Sequence, residues 1–177
     1  MSAPASGDRV GTDTAAARFL TLVRHAQAEP ASGGGPDADH ERALTARGRR
    51  DAEALAASLA TAVEGVAPID RVLSSDATRT RQTLALLAPA LGPASGGAAF
   101  ERALYLASAD ALAERVGTAL ADGSRHVLLV GHNPGIELLG ARLAGAPGLA
   151  MGTCARLTLR LGDGAPAPGG ATIAARG

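Results

Sequence analysis

Two arginines and two histidines occupy places where a chain of alternating strands and helices puts its chemistry. Arg24-His25 follows Phe19-Leu20-Thr21-Leu22-Val23, Arg79 lies shortly after Arg71-Val72-Leu73-Ser74, and His132 follows His126-Val127-Leu128-Leu129-Val130. Each residue alone has an ordinary reading. Arg24 is a surface charge, His25 a satisfied strand-end histidine, His132 a turn residue before Asn133-Pro134-Gly135, and Arg79 a solvated helix residue. Arg79 fits that reading poorly, because a cation in the first turn of a helix opposes the macrodipole. Brought to one edge, two guanidinium groups and two imidazoles suit a tetrahedral dianion. Arginine offers bidentate bonds to phosphoryl oxygens. A neutral imidazole is a competent nucleophile at pH 7. Phosphoryl transfer asks a protein mainly for positioning and charge stabilisation.

The elements that must position these residues follow from periodicity. The run from Phe19 to Val23 predicts a buried strand. Ala31-Ser32-Gly33-Gly34-Gly35-Pro36-Asp37 predicts a loop that is neither helix nor strand. Thr45 is a helix N-cap, and an amphipathic helix runs from it to about Val63, with Ala54, Leu55, Leu59, Ala62 and Val63 on one face. Arg71 to Ser74 is a short strand. Ser75 and Asp76 are N-cap types for a helix from Thr78 to Leu91, striped by Leu84, Leu87 and Leu91. Ala98 to Phe100 reads as a short strand, Ser108 opens a helix to about Ala121, and His126 to Val130 is the most strand-like run. After the turn at His132 a helix reaches about Ala144. Ala155 to Leu161 alternates as a half-exposed, antiparallel strand, and Thr172-Ile173-Ala174 suggests a last one. The expected fold is α/β: a three-layer sandwich with a mostly parallel central sheet and helices on both faces. In such sheets ligands bind outside the carboxyl ends of the strands, where Arg24, His25, Arg79 and His132 fall.

Composition narrows the chemistry. The 177 residues suit one domain, expected over residues 19–177 behind a flexible tail at 1–18. With 46% hydrophobic and 19% charged residues the chain is a soluble globular one. Its 17 basic and 17 acidic residues cancel, so no global field draws it to nucleic acid or to an anionic membrane. Every basic residue is Arg. The absence of Lys removes Schiff-base, pyridoxal-phosphate, Walker-A and kinase chemistry. The single Cys154 excludes a disulfide framework and any Cys-based zinc site, and reads as a small buried filler. Aromatic residues at 2% argue against base stacking. No metal-ligand spacing is present, so neither metal nor cofactor is expected. The first residues hold no apolar run of signal-peptide length, and no stretch is long enough to span a membrane, so the cytoplasm is the expected compartment. His126 reads as structural. His40 reads as a surface residue in Asp37-Ala38-Asp39-His40-Glu41-Arg42, a loop that could edge the site and let Arg42 meet a substrate.

Four blocks carry a resemblance to a known family. Leu22-Val23-Arg24-His25-Ala26 resembles the LxRHG/A signature of the histidine phosphatase superfamily, which has the phosphoglycerate mutase-like fold. Leu44-Thr45-Ala46-Arg47-Gly48 is similar to its LTxxG segment. Ser74-Ser75-Asp76-Ala77-Thr78-Arg79-Thr80-Arg81-Gln82-Thr83 resembles its SS(D/P)xxRxxQT block, and Val130-Gly131-His132-Asn133-Pro134 its (V/S)GHNP block. The blocks occur in family order between about Leu20 and Ala144. The short chain, the RHA form and Gly131-His132-Asn133-Pro134-Gly135-Ile136-Glu137 look most like the phosphohistidine phosphatase branch. The resemblance implies that Nε2 of His25 attacks phosphorus. Arg24 and Arg79 would hold the phosphoryl oxygens, His132 would support transition-state charge, and Asn133 would add a hydrogen bond. It also implies that water then releases phosphate. For Nε2 to attack, Nδ1 must carry the proton, and a backbone carbonyl is expected to fix that tautomer.

One departure bears on substrate. The family's Glu or Asp general acid lies after the third strand, where this chain reads Glu101-Arg102-Ala103-Leu104-Tyr105-Leu106-Ala107-Ser108-Ala109-Asp110 without the Glu-rich pattern of the mutases. Glu101 and Asp110 are candidate acids. Asp110 has a competing reading as a first-turn residue that favours the helix dipole. A phosphoramidate has a readily protonated leaving group and needs less acid help than an alkyl phosphate. The expected function is therefore a metal-independent phosphatase acting through phosphohistidine, on phosphohistidine in a protein. Alternatives are a phosphatase of small phosphomonoesters or nucleotides and a non-catalytic phosphate- or phosphoprotein-binding module. A mutase is disfavoured.

Overall fold

Adjacent side chains around Leu22 enter different hydrophobic layers, as in a strand covered on both faces. Leu20 and Leu22 pack into one buried cluster and Val23 into another. The computed structural model describes residues 17–61, 63–162 and 167–177. Residues 1–16 of the expected tail lie outside the described residues. Ala17 is buried, and Arg18 already belongs to the first strand.

The chain order is β1 (Arg18–Arg24), α1 (Pro36–His40), α2 (Ala46–Ala60), β2 (Arg71–Ser75), α3 (Thr78–Leu91), β3 (Ala99–Glu101), α4 (Ala109–Ala121), β4 (His126–Gly131), α5 (Gly135–Ala144), β5 (Arg156–Leu161) and β6 (Ala171–Arg176). The strands form one sheet in the order β3-β2-β4-β1-β5-β6. Neighbours from β3 to β1 pair in parallel, whereas β5 pairs antiparallel with both β1 and β6. The sheet is therefore mixed, which corrects the expectation of a mostly parallel one. Among the described residues no helix lies between β5 and β6, and a short return connection joins only antiparallel strands.

Helices cover both faces. Leu55 of α2 and Leu84, Leu87 and Leu91 of α3 pack on Val72, Leu128 and Val130. Leu112 and Val116 of α4 and Ile136 and Leu139 of α5 pack on Leu20, Leu73 and Leu129. Each fully buried leucine contributes about 1.5–3 kcal/mol of burial. α5 rides close to the sheet. A Cβ at Gly140 would stand 2.9 Å from the Leu157 side chain and 3.3 Å from that of Leu22.

Several local expectations change. Pro36 and Asp37 begin helix α1 rather than ending a loop, because Pro fits the first helical turn and Asp37 and Asp39 favour its dipole. α2 starts as expected, with Thr45 Oγ1 accepting the Gly48 N–H at 2.9 Å. It stops at Ala60, before Val63, and Ala54 is exposed. Ala62 of the expected apolar face lies outside the described residues. α3 is capped by Ala77 without a side-chain bond, while Ser75 Oγ accepts the Ala77 N–H. β5 is buried rather than half-exposed, because its polar-face residues Arg156 and Thr158 are covered. No helix among the described residues is long and apolar enough to cross a membrane.

Candidate active site

Register sets the site. β1 and β4 are parallel neighbours with Arg24 opposite Gly131, so His25 and His132 leave adjacent strand ends together. Their ring centroids are 5.1 Å apart. β2 lies on the other side of β4 and sends Arg79 back from the first turn of α3. Arg24, His25, Asp39, Arg42, Arg79, His132 and Asn133 share the lining of one open cavity of about 330 Å³.

The backbone around His25 is pinned from three sides. Its N–H donates to the Gly131 carbonyl at 3.1 Å, and its carbonyl accepts the Cys154 N–H at 3.1 Å. The next amide, Ala26, donates to Thr83 Oγ1 at 3.0 Å, and the Thr83 hydroxyl donates to the Arg79 carbonyl. Gln82 Oε1 accepts the Leu44 N–H at 2.7 Å, tying the approach to α2 onto α3. Gly48 is required because a Cβ there would stand 2.1 Å from the Gln27 carbonyl oxygen. The Gln82-Thr83 and Thr45-to-Gly48 segments thus hold the loops around the nucleophile.

The His25 ring is fixed as the sequence analysis required. Nδ1 donates to the Ala26 carbonyl at 2.8 Å, which leaves the lone pair on Nε2. Arg79 Nε points at that atom from 3.3 Å. Burial pulls His25 down to about 4, opposed by the Ala26 bond and reinforced by Arg79, Arg24 and Arg42. Burial, Arg79 and His25 pull His132 down to about 3, with Asp39 opposing. Both rings are neutral at pH 7. Arg24 Nη1 donates to the Met151 carbonyl at 3.0 Å. Its Nε, both ring nitrogens of His132 and Oδ1 of Asn133 are buried without a hydrogen-bond partner. Buried polar atoms are normally paired. Orphaned atoms clustered around a cationic cavity are groups arranged for a polar ligand.

Asn133 is anchored through its amide nitrogen. Its Nδ2 donates to Glu137 Oε2 and to the Met151 carbonyl, both at 3.1 Å, and Glu137 also accepts the Met151 N–H at 2.7 Å. Arg42 donates from Nη1 to Asp39 Oδ1 at 2.9 Å. His40 is not a plain surface residue, since its Nε2 meets Asp76 Oδ1 at 2.7 Å. The structure does not bring the two candidate acids to the cavity. Glu101 is held by Arg115 through two 2.9 Å bonds, and Asp110 pairs with Arg142. Cys154 is buried among apolar side chains, and burial pushes its thiol up to about 11. Among the described residues no group of three His, Cys, Asp or Glu is placed to hold a metal ion.

Asp39 and Tyr105 are the site residues that sequence reading passed over. Asp39 accepts from Arg79 Nη2 at 3.0 Å through its carboxylate and from Nη1 at 2.6 Å through its carbonyl. The Tyr105 hydroxyl also donates to that carboxylate. This bond, with those from Arg42 and Arg79, holds the Asp39 carboxyl well below the usual carboxylate range against the opposing pull of burial. Burial and Asp39 push Tyr105 up, so it keeps its proton. The available signal was that Tyr105 is the one tyrosine in the chain and stands where the acid was sought.

A neutral imidazole ringed by guanidinium groups at the strand ends of an α/β sandwich is an arrangement that suits phosphoryl transfer. The family model of the histidine phosphatase superfamily (branch 1) matches residues 20–97, which include Arg24, His25 and Arg79. Over these residues the chain is similar to that superfamily, and the match supports a phosphatase enzyme. It is similar to a structure assigned as the phosphohistidine phosphatase SixA of Nakamurella multipartitia, at 28% identity and a TM-score of 0.71, covering 91% of this chain and 95% of that one. It is also similar to one assigned as SixA of Agrobacterium tumefaciens, at 26% identity and a TM-score of 0.67, covering 81% and 91%. A protein histidine phosphatase SixA complexed with tungstate shares the fold, at 24% identity and a TM-score of 0.73 over 89% and 95%. No curated protein matches the chain by sequence.

Proposed function

We propose that the protein hydrolyses a phosphoramidate, phosphohistidine on a protein, through a phosphoryl group carried by His25. The observation that carries this reading is the His25 ring itself. Its Nδ1 proton is committed to Ala26 and its bare Nε2 faces Arg79. In the first step the Nε2 lone pair forms a bond to phosphorus as the bond to the leaving nitrogen breaks. That nitrogen keeps the electron pair, and the imidazole leaves neutral with the proton carried on its other ring nitrogen. Arg24 and Arg79 hold the phosphoryl oxygens, and His132 contacts the charge that builds on them. The imidazolium formed on His25 shares its Nδ1 proton with the Ala26 carbonyl. In the second step water attacks phosphorus, Nε2 leaves with its electron pair, and phosphate departs.

The acid inventory supports a P–N substrate. Asp39 lines the cavity but is held ionised, and Glu101 and Asp110 are engaged elsewhere. A leaving imidazole takes its proton readily, whereas an alkoxide needs a positioned acid. The open cavity also suits a phosphoryl group presented on a larger surface. The assignment of two similar structures as phosphohistidine phosphatases points the same way.

The test compares wild type with His25→Ala on a phosphoramidate and an aryl phosphate, following released phosphate. The reading expects turnover by wild type, preference for the phosphoramidate, and loss by several orders of magnitude in the variant. Equal or greater efficiency on alkyl monoesters would move the assignment to small phosphomonoesters. Phosphate binding without turnover of either would make the protein a binding module.

A further inference from the structure

A second cavity among the described residues is lined by a buried cation with no partner. It lies on the α2–α3 face of the sheet, against the β1–β5 pair, has a volume of about 250 Å³ and shares no lining residue with the active site. Leu59, Val63, Val66, Ile69 and Leu91 give it apolar walls. Arg156, at the start of β5, lines it and is only 8% exposed. No hydrogen bond or ion pair reaches its guanidinium among the described residues, and Nε is fully enclosed. A buried charge costs several kcal/mol unless it is paired, and buried Arg is rare without a partner.

Of the buried polar side chains described in the lining, the guanidinium is the one left with an unpaired donor. His126 Nδ1 donates to the Ala67 carbonyl, so its Nε2 accepts the Thr21 hydroxyl at 2.8 Å. Thr21 Oγ1 in turn accepts the Thr158 hydroxyl at 2.9 Å. Every proton of this chain is used within it. A buried ligand head therefore accepts from Arg156, with the exposed Thr61 hydroxyl as a further side-chain donor on the lining. One positive charge in an apolar chamber balances one negative charge, and a planar fork fits a carboxylate bidentately. A phosphate dianion would keep half its charge uncompensated there. The size lies just under that of small-molecule pockets, about 300 Å³ and above.

We propose that this cavity binds a small amphiphilic monocarboxylate, with its carboxylate on the Arg156 guanidinium and its aliphatic body against Leu59, Val66 and Leu91. The site is independent of the phosphatase reading, because none of its residues takes part in that chemistry.

The experiment titrates the full chain with octanoate by calorimetry and by amide NMR shifts. Octanol serves as the body without the charge, acetate as the charge without the body, and inorganic phosphate as an active-site ligand. The expected result is saturable one-to-one binding of octanoate, with shifts at Thr21, His126 and Thr158. Octanol and acetate bind at least tenfold more weakly. Arg156→Gln weakens octanoate at least tenfold and leaves turnover at the phosphatase site unchanged. Val66→Phe, which narrows the cavity from its wall, weakens octanoate and serves if Arg156→Gln does not fold. Absence of saturable binding overturns the proposal. So does equal affinity for octanol, undiminished binding by both variants, or shifts confined to His25 and His132.

Discussion

Arg79 Nε stands 3.3 Å from His25 Nε2 while the two terminal nitrogens of the same guanidinium grip Asp39. One planar group thereby aims a charge at the nucleophilic atom and is itself held from behind. Arg79 is 2% exposed, so its orientation is set before any substrate arrives. Positioning of this kind is what phosphoryl transfer draws on.

Arg79→Lys should therefore behave almost as badly as Arg79→Ala. A lysine ammonium is a single point charge and cannot hold Asp39 on one side and face His25 on the other. We expect both variants to lose about 10²–10³ in kcat, the size seen when a preorganised donor is removed. Steady-state kinetics on a phosphoramidate checks this, and near-wild-type turnover by Arg79→Lys would count against the geometry.

Asp39→Asn separates binding from positioning. The change removes a negative charge beside an anion site and loosens the rear hold on Arg79. Affinity for phosphate as a product inhibitor should rise while kcat falls. An unchanged inhibition constant together with an unchanged kcat would show that Asp39 has no part in the site.

The histidines make stability depend on pH with a defined sign. His25 is pulled down to about 4 and His132 to about 3 in the folded chain, and His126 is also lowered by burial. An unfolded histidine titrates near ~6.5. Between these values the unfolded chain binds protons that the folded chain refuses. Stability is therefore complete above about pH 6.5 and falls as pH drops toward 4, by roughly 1.4 kcal/mol per proton per pH unit. Urea unfolding at pH 7, 6 and 5 measures it. Replacing His132 by Asn should flatten the dependence, and an unaltered slope would contradict the assignment of a neutral buried ring.

Gly135→Ala tests how α5 places His132. A Cβ at Gly135 would stand 2.0 Å from the Ala107 carbonyl oxygen, which is backbone and cannot swing aside. We expect a loss of about 1–3 kcal/mol from overpacking, with a fall in kcat because His132 lies three residues earlier. Thermal unfolding and kinetics together decide it. A variant with wild-type Tm would show that the helix can shift at no cost.

The placement of Arg24, His25, Arg79 and His132 at one cavity was legible because strand ends are legible. Val23, Leu73 and Val130 close apolar runs, and β1, β4 and β2 turned out to be neighbours in the sheet. The Thr45 cap followed from local rules, and the backbone carbonyl expected on His25 Nδ1 from the family resemblance is that of Ala26. Three features were hidden. Helix α1 is five residues long behind a glycine-rich stretch, so no periodicity announced it, and Asp39 went unseen with it. Arg156 and Thr158 alternate with leucines as solvent-facing residues would, yet a loop and the end of α2 cover them. Glu101 and Asp110 lie near the expected acid in sequence, but Arg115 and Arg142 draw both away from the cavity. Contacts with other elements decide the last two, and a single chain's pattern does not encode which elements will meet.

The central claim is that His25 carries the phosphoryl group. The most direct measurement is a rapid acid-free quench during turnover of a phosphoramidate, followed by mass spectrometry of the peptide containing Arg24 and His25. A phosphoryl group on His25 is predicted. It should form and decay at rates consistent with kcat, and be absent in His25→Ala. Steady turnover with no protein-bound phosphoryl group, retained when His25 is replaced by Ala, would contradict the account.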